Sequence, residues 1–254
     1  MTDHPPSSRP NVPIKALLLD LDNTLLRNDM EDFVPAYLGA LAEFMADHFP
    51  PDTLIAHLMQ ATRAMMNDTD PSRTNMEAFD AVFFPALGRT RRELAPLFER
   101  FYATRFPQLR SLTRPDPVAR PLVEWAFAQG FQVAIATNPL FPRTAIEQRL
   151  EWAGVPPSEF PYHLITSYED MHATKPHTAY YLEIARRLGR APEECLMVGD
   201  EWELDILPAL RIGMEAYWIS DADERQETGD REPLGVGSLA DFYDWVRRLP
   251  PPPT

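Results

Sequence analysis

Five short apolar runs alternate with amphipathic stretches along most of this chain, and that rhythm admits few folds. The runs lie at 16–20, 132–137, 163–166, 195–199 and 215–219, and three of them lead into side chains with chemical potential. Short, almost continuous apolar runs are what strands buried on both faces of a parallel sheet require. Helices are predicted over 118–129, 142–152, 178–188 and 203–211. Gly130, Gly154, Gly189 and Gly213 each fall just past one of them, where a left-handed C-terminal cap is wanted. Strand and helix alternating in this way predict an α/β fold built on a doubly wound, Rossmann-like parallel sheet.

Residues 27–114 break the rhythm. No convincing strand occurs there, but apolar residues recur at helical spacing, as in Tyr37, Leu41 and Met45, or Leu94, Phe98, Phe101 and Tyr102. An all-helical insertion is expected over 27–114, splitting an α/β core into 14–26 and 115–248. Its exit, Thr113-Arg114-Pro115-Asp116-Pro117, holds two prolines that stop a helix and suit a linker. The proline-rich ends, 1–13 and 249–254, are expected to be disordered tails.

The formal charge of -14 disfavours nucleic acid as a partner, so an anionic ligand needs local positive charge. No apolar run approaches the roughly 18 residues that span a bilayer, and the start of the chain is polar and proline-rich rather than a signal peptide. A soluble, cytoplasmic protein with no membrane partner is expected; the oligomeric state is not legible. Cys195, the only cysteine, cannot form an intramolecular disulfide or a thiolate cluster and reads as core.

Asp20 and Asp22 follow the first run, Thr137 and Asn138 end the second, Lys175 follows the third, and Asp200 and Asp205 follow the fourth. Ligands of doubly wound sheets bind beyond the carboxyl ends of the strands, so these groups are placed to converge. Two carboxylates about 4 Å apart repel by about 4 kcal/mol at an effective dielectric near 20, so such a cluster calls for a cation or a proton. An all-oxygen donor set favours Mg²⁺. Lys175 is one of only two lysines among 24 basic residues, and lysine suits a phosphate site as a compact point charge. Each group also has a structural use: Asp20 to Thr24 as a turn, Asp200 as a helix cap, Asp205 as a solvated first-turn carboxylate, Thr137 as a partner for backbone groups.

Together the residues resemble the haloacid dehalogenase superfamily, in its phosphatase-type branch with a helical cap between the first two motifs. Asp20-Leu21-Asp22-Asn23-Thr24 is similar to the first motif, Ala136-Thr137-Asn138 to the second, Lys175-Pro176 to the third, and Val198-Gly199-Asp200 through Asp205-Ile206 to the fourth. The resemblance implies that Asp20 attacks phosphorus and that Asp22 acts as general acid and base. It implies that Thr137, Asn138 and Lys175 hold the phosphoryl group, and that Asp20, the main-chain carbonyl of Asp22, Asp200 and Asp205 serve a Mg²⁺ site. The dehalogenases that named the superfamily lack a carboxylate two positions after the nucleophile, so Asp22 points away from dehalogenation. Glu201-Trp202 and Pro139 depart from the usual pattern beside the fourth and second motifs.

Within the insertion, Met59, Met65, Met66, Met76, Phe79, Phe83 and Phe84 are expected to pack among the cap helices, with Arg63 and Arg73 as possible contacts for an anionic substrate tail. The expected activity is Mg²⁺-dependent hydrolysis of a small phosphorylated metabolite through an aspartyl-phosphate. A phosphomutase using the same nucleophile, and a non-catalytic binding protein on this scaffold, stay open.

Overall fold

The computed structural model describes residue 10 and residues 12–220 and 231–252. A parallel sheet of six strands forms its centre: β1 (Ala16–Leu19), β4 (Gln132–Ile135), β5 (Leu164–Ile165), β6 (Cys195–Gly199), β7 (Glu215–Ile219) and β8 (Gly235–Gly237). Their order across the sheet is β5-β4-β1-β6-β7-β8. The chain thus runs outward from β1 on one side and returns to build the other. Both neighbours of β1 pair with it in parallel, Leu17 lying beside Val133 and Leu196.

Because successive side chains of a strand face opposite ways, the apolar run of β1 feeds two cores at once. Leu17 and Leu19 pack with Val133, Ile135 and Val198 on one face. There they meet α5 (Ala119–Ala128), α6 (Arg143–Trp152) and α9 (Leu239–Val246). Ala16 and Leu18 pack with Ala134, Cys195 and Met197 on the other face, under α7 (Thr178–Leu188) and α8 (Leu207–Arg211). Cys195 is core as expected, and burial pushes its thiol up to about 12. Gly130, Gly154, Gly189 and Gly213 all adopt positive φ just past a helix.

Between β2 (Leu26–Asn28) and β3 (Thr113–Pro115) the chain forms α1 (Met30–Phe44), α2 (Pro51–Met66), α3 (Asn75–Ala86) and α4 (Arg91–Thr104), then a 3₁₀ segment, Phe106–Leu112. Tyr37, Leu41, Met45, Leu94, Phe101 and Tyr102 are buried, as the periodicity predicts. So are Met65, Phe83 and Phe84, whereas Met59 is exposed. Arg73 is tied to Asp68 at 2.5 Å. The helical layer is stitched to the core by main-chain bonds: the N–H of Asn75 donates to Met171 O at 2.7 Å and that of Met76 to Tyr168 O at 2.7 Å. The buried Asn75 side chain adds a bond to Ala173 O at 3.1 Å.

The structure differs from the sequence reading at three places. β2 and β3 pair antiparallel at the two ends of a segment expected to lack strands. Arg27 of β2 is fixed there by Asp116, at 3.0 and 2.9 Å. The helix predicted over 203–211 begins with a wide π-helical turn, Trp202–Ile206, before α8. β8 and α9 were not predicted. Most of the expected tail at 1–13, and the last two residues of that at 249–254, lie outside the described residues. Among the described residues no helix is long and apolar enough to cross a membrane.

Replacing Asn75 by Ala leaves the carbonyl of Ala173 without its buried donor, so Asn75→Ala should lower unfolding stability by about 1–3 kcal/mol in urea titration. An unchanged midpoint and slope would show that this bond does not hold the helical layer to the core.

Candidate active site

The site begins where β1 stops. The N–H of Asp20 still donates to Val198 O at 2.9 Å, which sets its side chain at the carboxyl end of the sheet, 6% exposed. The chain then turns sharply. Asn23 takes a left-handed φ of 56°, which asparagine tolerates better than most residues. Its N–H donates to Leu26 O at 2.7 Å, and its Oδ1 accepts from the N–H of Asn28 at 3.2 Å. Asn23 and Thr24 therefore build the turn, while Asp20 and Asp22 are left to act.

Lys175, in the loop after β5, is 2% exposed rather than solvated. Its Nζ donates to Asp20 Oδ1 at 2.7 Å and to Asp205 Oδ1 at 2.5 Å. Asp205, 1% exposed, is likewise no surface carboxylate. The π-helical turn holds it: its N–H donates to Glu201 O at 2.7 Å, and its Oδ2 accepts from the N–H of Glu201 at 3.1 Å. Gly199 allows this approach, because a Cβ there would lie 2.8 Å from the Cβ of Asp205. Asp200 is held through its carbonyl, which accepts from Trp218 Nε1 at 2.8 Å, and Trp202 packs on the Trp218 ring. The departure at Glu201-Trp202 thus places an indole in the core and a carboxylate at the rim. Thr137, 2% exposed, uses its carbonyl to accept from Thr166 Oγ1 at 2.7 Å and Tyr180 OH at 2.9 Å. Asn138 Oδ1 accepts from the N–H of Lys175 at 3.3 Å, joining the second and third motifs.

Asp20, Asp200 and Asp205 each offer a carboxylate oxygen within 4.8 Å of the others. Three carboxylates against the one ammonium bonded to two of them leave two negative charges when all are ionised. Burial pushes the Asp200 carboxyl up to about 7, with Asp205 and Glu201 adding to it. Burial likewise raises Asp20 well above the usual carboxylate range, Lys175 opposing and Asp205 and Asp200 reinforcing. Burial alone pulls the Lys175 ammonium down, but Asp20 and Asp205 more than offset it and keep its proton bound. An all-oxygen trio with an excess of two negative charges fits a hard divalent cation, and Mg²⁺ in particular.

Asp22 does not join this trio through its side chain. Its Oδ1 accepts from Asn28 Nδ2 at 3.0 Å and its Oδ2 from Arg149 Nη1 at 2.5 Å. Neither partner was singled out in the sequence. Asn28 sits in a three-residue strand without a clear β signal. Arg149 left a trace: it falls three residues after Ile146 and four after Ala145, on the buried stripe of α6, where a charge has no business unless it is paired.

Gly199→Ala forces Asp205 and its turn to move, and overpacking of this kind typically costs about 1–3 kcal/mol. The variant should melt lower than wild type by that amount in urea. Equal stability would mean that the turn at Trp202–Ile206 yields freely.

The model of the haloacid dehalogenase-like hydrolase family matches residues 14–213. A glyceraldehyde 3-phosphate phosphatase of Methanopyrus kandleri is 30% identical over 142 residues, 56% of this chain and 55% of that protein. The chain thus spans about half the length of that relative. A phosphoglycolate phosphatase of Mannheimia succiniciproducens is 26% identical over 214 residues, 83% of this chain and 87% of that protein. Among solved structures, a 2-haloacid dehalogenase from Pseudomonas syringae pv. Tomato DC3000 superposes with a TM-score of 0.62 at 25% identity, covering 92% of this chain and 99% of that one. A HAD phosphatase from Thermococcus onnurineus gives 0.58 at 20% identity, covering 94% and 100%. The family match, the sheet order and the acidic pocket agree: this chain belongs to the haloacid dehalogenase-like hydrolases.

Proposed function

We propose that the protein is a Mg²⁺-dependent phosphatase that hydrolyses a small phosphomonoester through a phosphorylated Asp20. The observation that carries this reading is the pair of carboxylates two residues apart with different surroundings. Asp20 is held by Lys175 in the acidic trio, and Asp22 is held apart by Asn28 and Arg149. A nucleophile and a separate proton carrier are what phosphoryl transfer to and from a carboxylate needs. The names of the two curated relatives, both phosphatases of small organic phosphates, support the same choice. The helical layer within 27–114 would act as the cap that excludes water and selects the ester.

Asp20, Asp200 and Asp205, with the main-chain carbonyl of Asp22, would hold the Mg²⁺, whose positive charge offsets that of the trio and of the phosphoryl oxygens. In the first step an Asp20 carboxylate oxygen bonds to phosphorus as the bond to the ester oxygen breaks, and Asp22 delivers its proton to that leaving oxygen. In the second, Asp22 takes a proton from water as the water oxygen bonds to phosphorus and the Asp20 oxygen departs. Inorganic phosphate and free Asp20 result. Lys175 counters the charge on the transferring group, and Thr137 and Asn138 contact its oxygens, so positioning and electrostatics supply most of the rate.

Purified protein with Mg²⁺ should release phosphate from a panel of phosphorylated metabolites that includes phosphoglycolate and glyceraldehyde 3-phosphate. Asp20→Asn should lower kcat by at least about a thousandfold. Undiminished turnover in that variant would remove Asp20 as nucleophile. Transfer of the group between positions of one sugar phosphate, without free phosphate, would identify a mutase. Halide release from a 2-haloacid would sink the phosphatase reading.

Mg²⁺ should also stabilise the fold in a pH-dependent way. The raised Asp200 favours the metal-free fold most below about pH 4, and that contribution is lost as the pH rises through about 7. Metal binding needs the ionised form, so the rise in Tm on adding Mg²⁺ should be larger at pH 8 than at pH 5.5. Equal rises at both would show that Asp200 does not take part.

A further inference from the structure

Arg149 lies inside the protein at 1% exposure, on α6, which contains none of the four motifs. Among the described residues its guanidinium makes one hydrogen bond, from Nη1 to Asp22 Oδ2 at 2.5 Å, and it covers the Phe141 ring with its centre 4.6 Å from the ring centroid. Its Nε and Nη2 are buried and make none. A buried donor left unmet is destabilising, more so on a charged group, and well-packed apolar residues often equal or exceed a buried ion pair in stability. Packing alone therefore does not account for an arginine here. What the guanidinium supplies is a planar donor, held over an aromatic face and aimed at one oxygen of Asp22.

The other oxygen of Asp22 is held from a different direction. Asn28, at the end of β2, donates to Oδ1 at 3.0 Å, and its own backbone is fixed by Asn23. With both oxygens held, the carboxylate does not turn freely, and its side chain stays out of the trio of Asp20, Asp200 and Asp205. Without Arg149, a free carboxylate so close in sequence to Asp20 has a competing use as one more ligand for a cation.

We propose that Arg149 is the positioning residue of Asp22. By occupying Oδ2 it leaves Oδ1, which accepts from Asn28 through one lone pair, to carry the proton on the other, and it reserves the Asp22 carboxyl, as distinct from its main-chain carbonyl, for proton transfer to the leaving oxygen rather than for metal binding. Arg149 itself neither gives nor takes a proton. The inference rests on the reading of Asp22 as general acid.

Two esters of similar shape separate this role from a structural one. Benzyl phosphate has a basic leaving oxygen that needs a proton, whereas 4-nitrophenyl phosphate expels an anion that is stable without one. kcat/KM reports the steps up to phosphorylation of Asp20, and its ratio between the two esters is independent of the folded fraction of a preparation. In Arg149→Met, with Mg²⁺ saturating, kcat/KM for benzyl phosphate should fall at least about tenfold further than for 4-nitrophenyl phosphate. Asp22→Asn should shift the ratio in the same direction, and Arg149→Lys, with a charge but no fork, should lie between wild type and Arg149→Met.

A ratio within twofold of wild type in both Arg149 variants overturns the inference, even where total activity drops, because a merely structural residue lowers both esters together. If Arg149→Met yields no soluble protein, the ratio in Arg149→Lys decides by the same rule. Wild-type protein inactive on both esters overturns the phosphatase reading, and this inference with it.

Discussion

One ammonium group holds the centre of this protein together. Lys175 stands between Asp20, which ends the middle strand, and Asp205, which comes from the turn after β6. In a chain of formal charge -14, three carboxylates meet in a buried pocket that this single cation only partly neutralises. The surrounding fold serves that contact. The parallel sheet delivers Asp20 and Asp200 to one end, Gly199 leaves space for Asp205, and Asn138 steadies the backbone of Lys175. The burial of this excess negative charge sets the character of the pocket: it favours a divalent cation, and burial first, with the neighbouring carboxylates second, raises the protonation range of Asp200.

A turn of a few residues then separates two carboxylates that the sequence places side by side. Asp20 leaves the strand into the charged pocket, and the left-handed step at Asn23 sends the chain back so that Asn28 returns to Asp22. Different neighbours give two chemically identical groups different surroundings, the general route by which paired carboxylates come to divide nucleophilic from acid and base work. The division draws on distant parts of the chain, with Arg149 on α6, between β4 and β5, and Lys175 in the loop after β5.

The core was legible because its strands are apolar on both faces and its helices stop at glycines that need a left-handed backbone. Cys195–Gly199, Glu215–Ile219 and Thr178–Leu188 have the boundaries that pattern predicts. β2, β3 and β8 were not, for a common reason. Leu-Arg-Asn, Thr-Arg-Pro and Gly-Val-Gly carry no local β preference and form strands only because a partner strand is already there. In the site, Asp20, Lys175 and Asp205 were legible as polar groups just beyond apolar runs. The hold on Asp22 was not, since Arg149 lies 127 positions away and its pairing is a property of the folded helix rather than of any local pattern.

The seam between the helical layer and the sheet has a further consequence. Its two shortest stitches, from Asn75 and Met76 to Met171 and Tyr168, use peptide groups and not side chains. Asn75 apart, whose side chain adds a bond of its own, a junction made of backbone tolerates exchange of the residues along it, so long as their main-chain course is kept. The same sheet can thus carry a differently furnished helical layer, and the layer's surface can change without rebuilding the joint on which it rests.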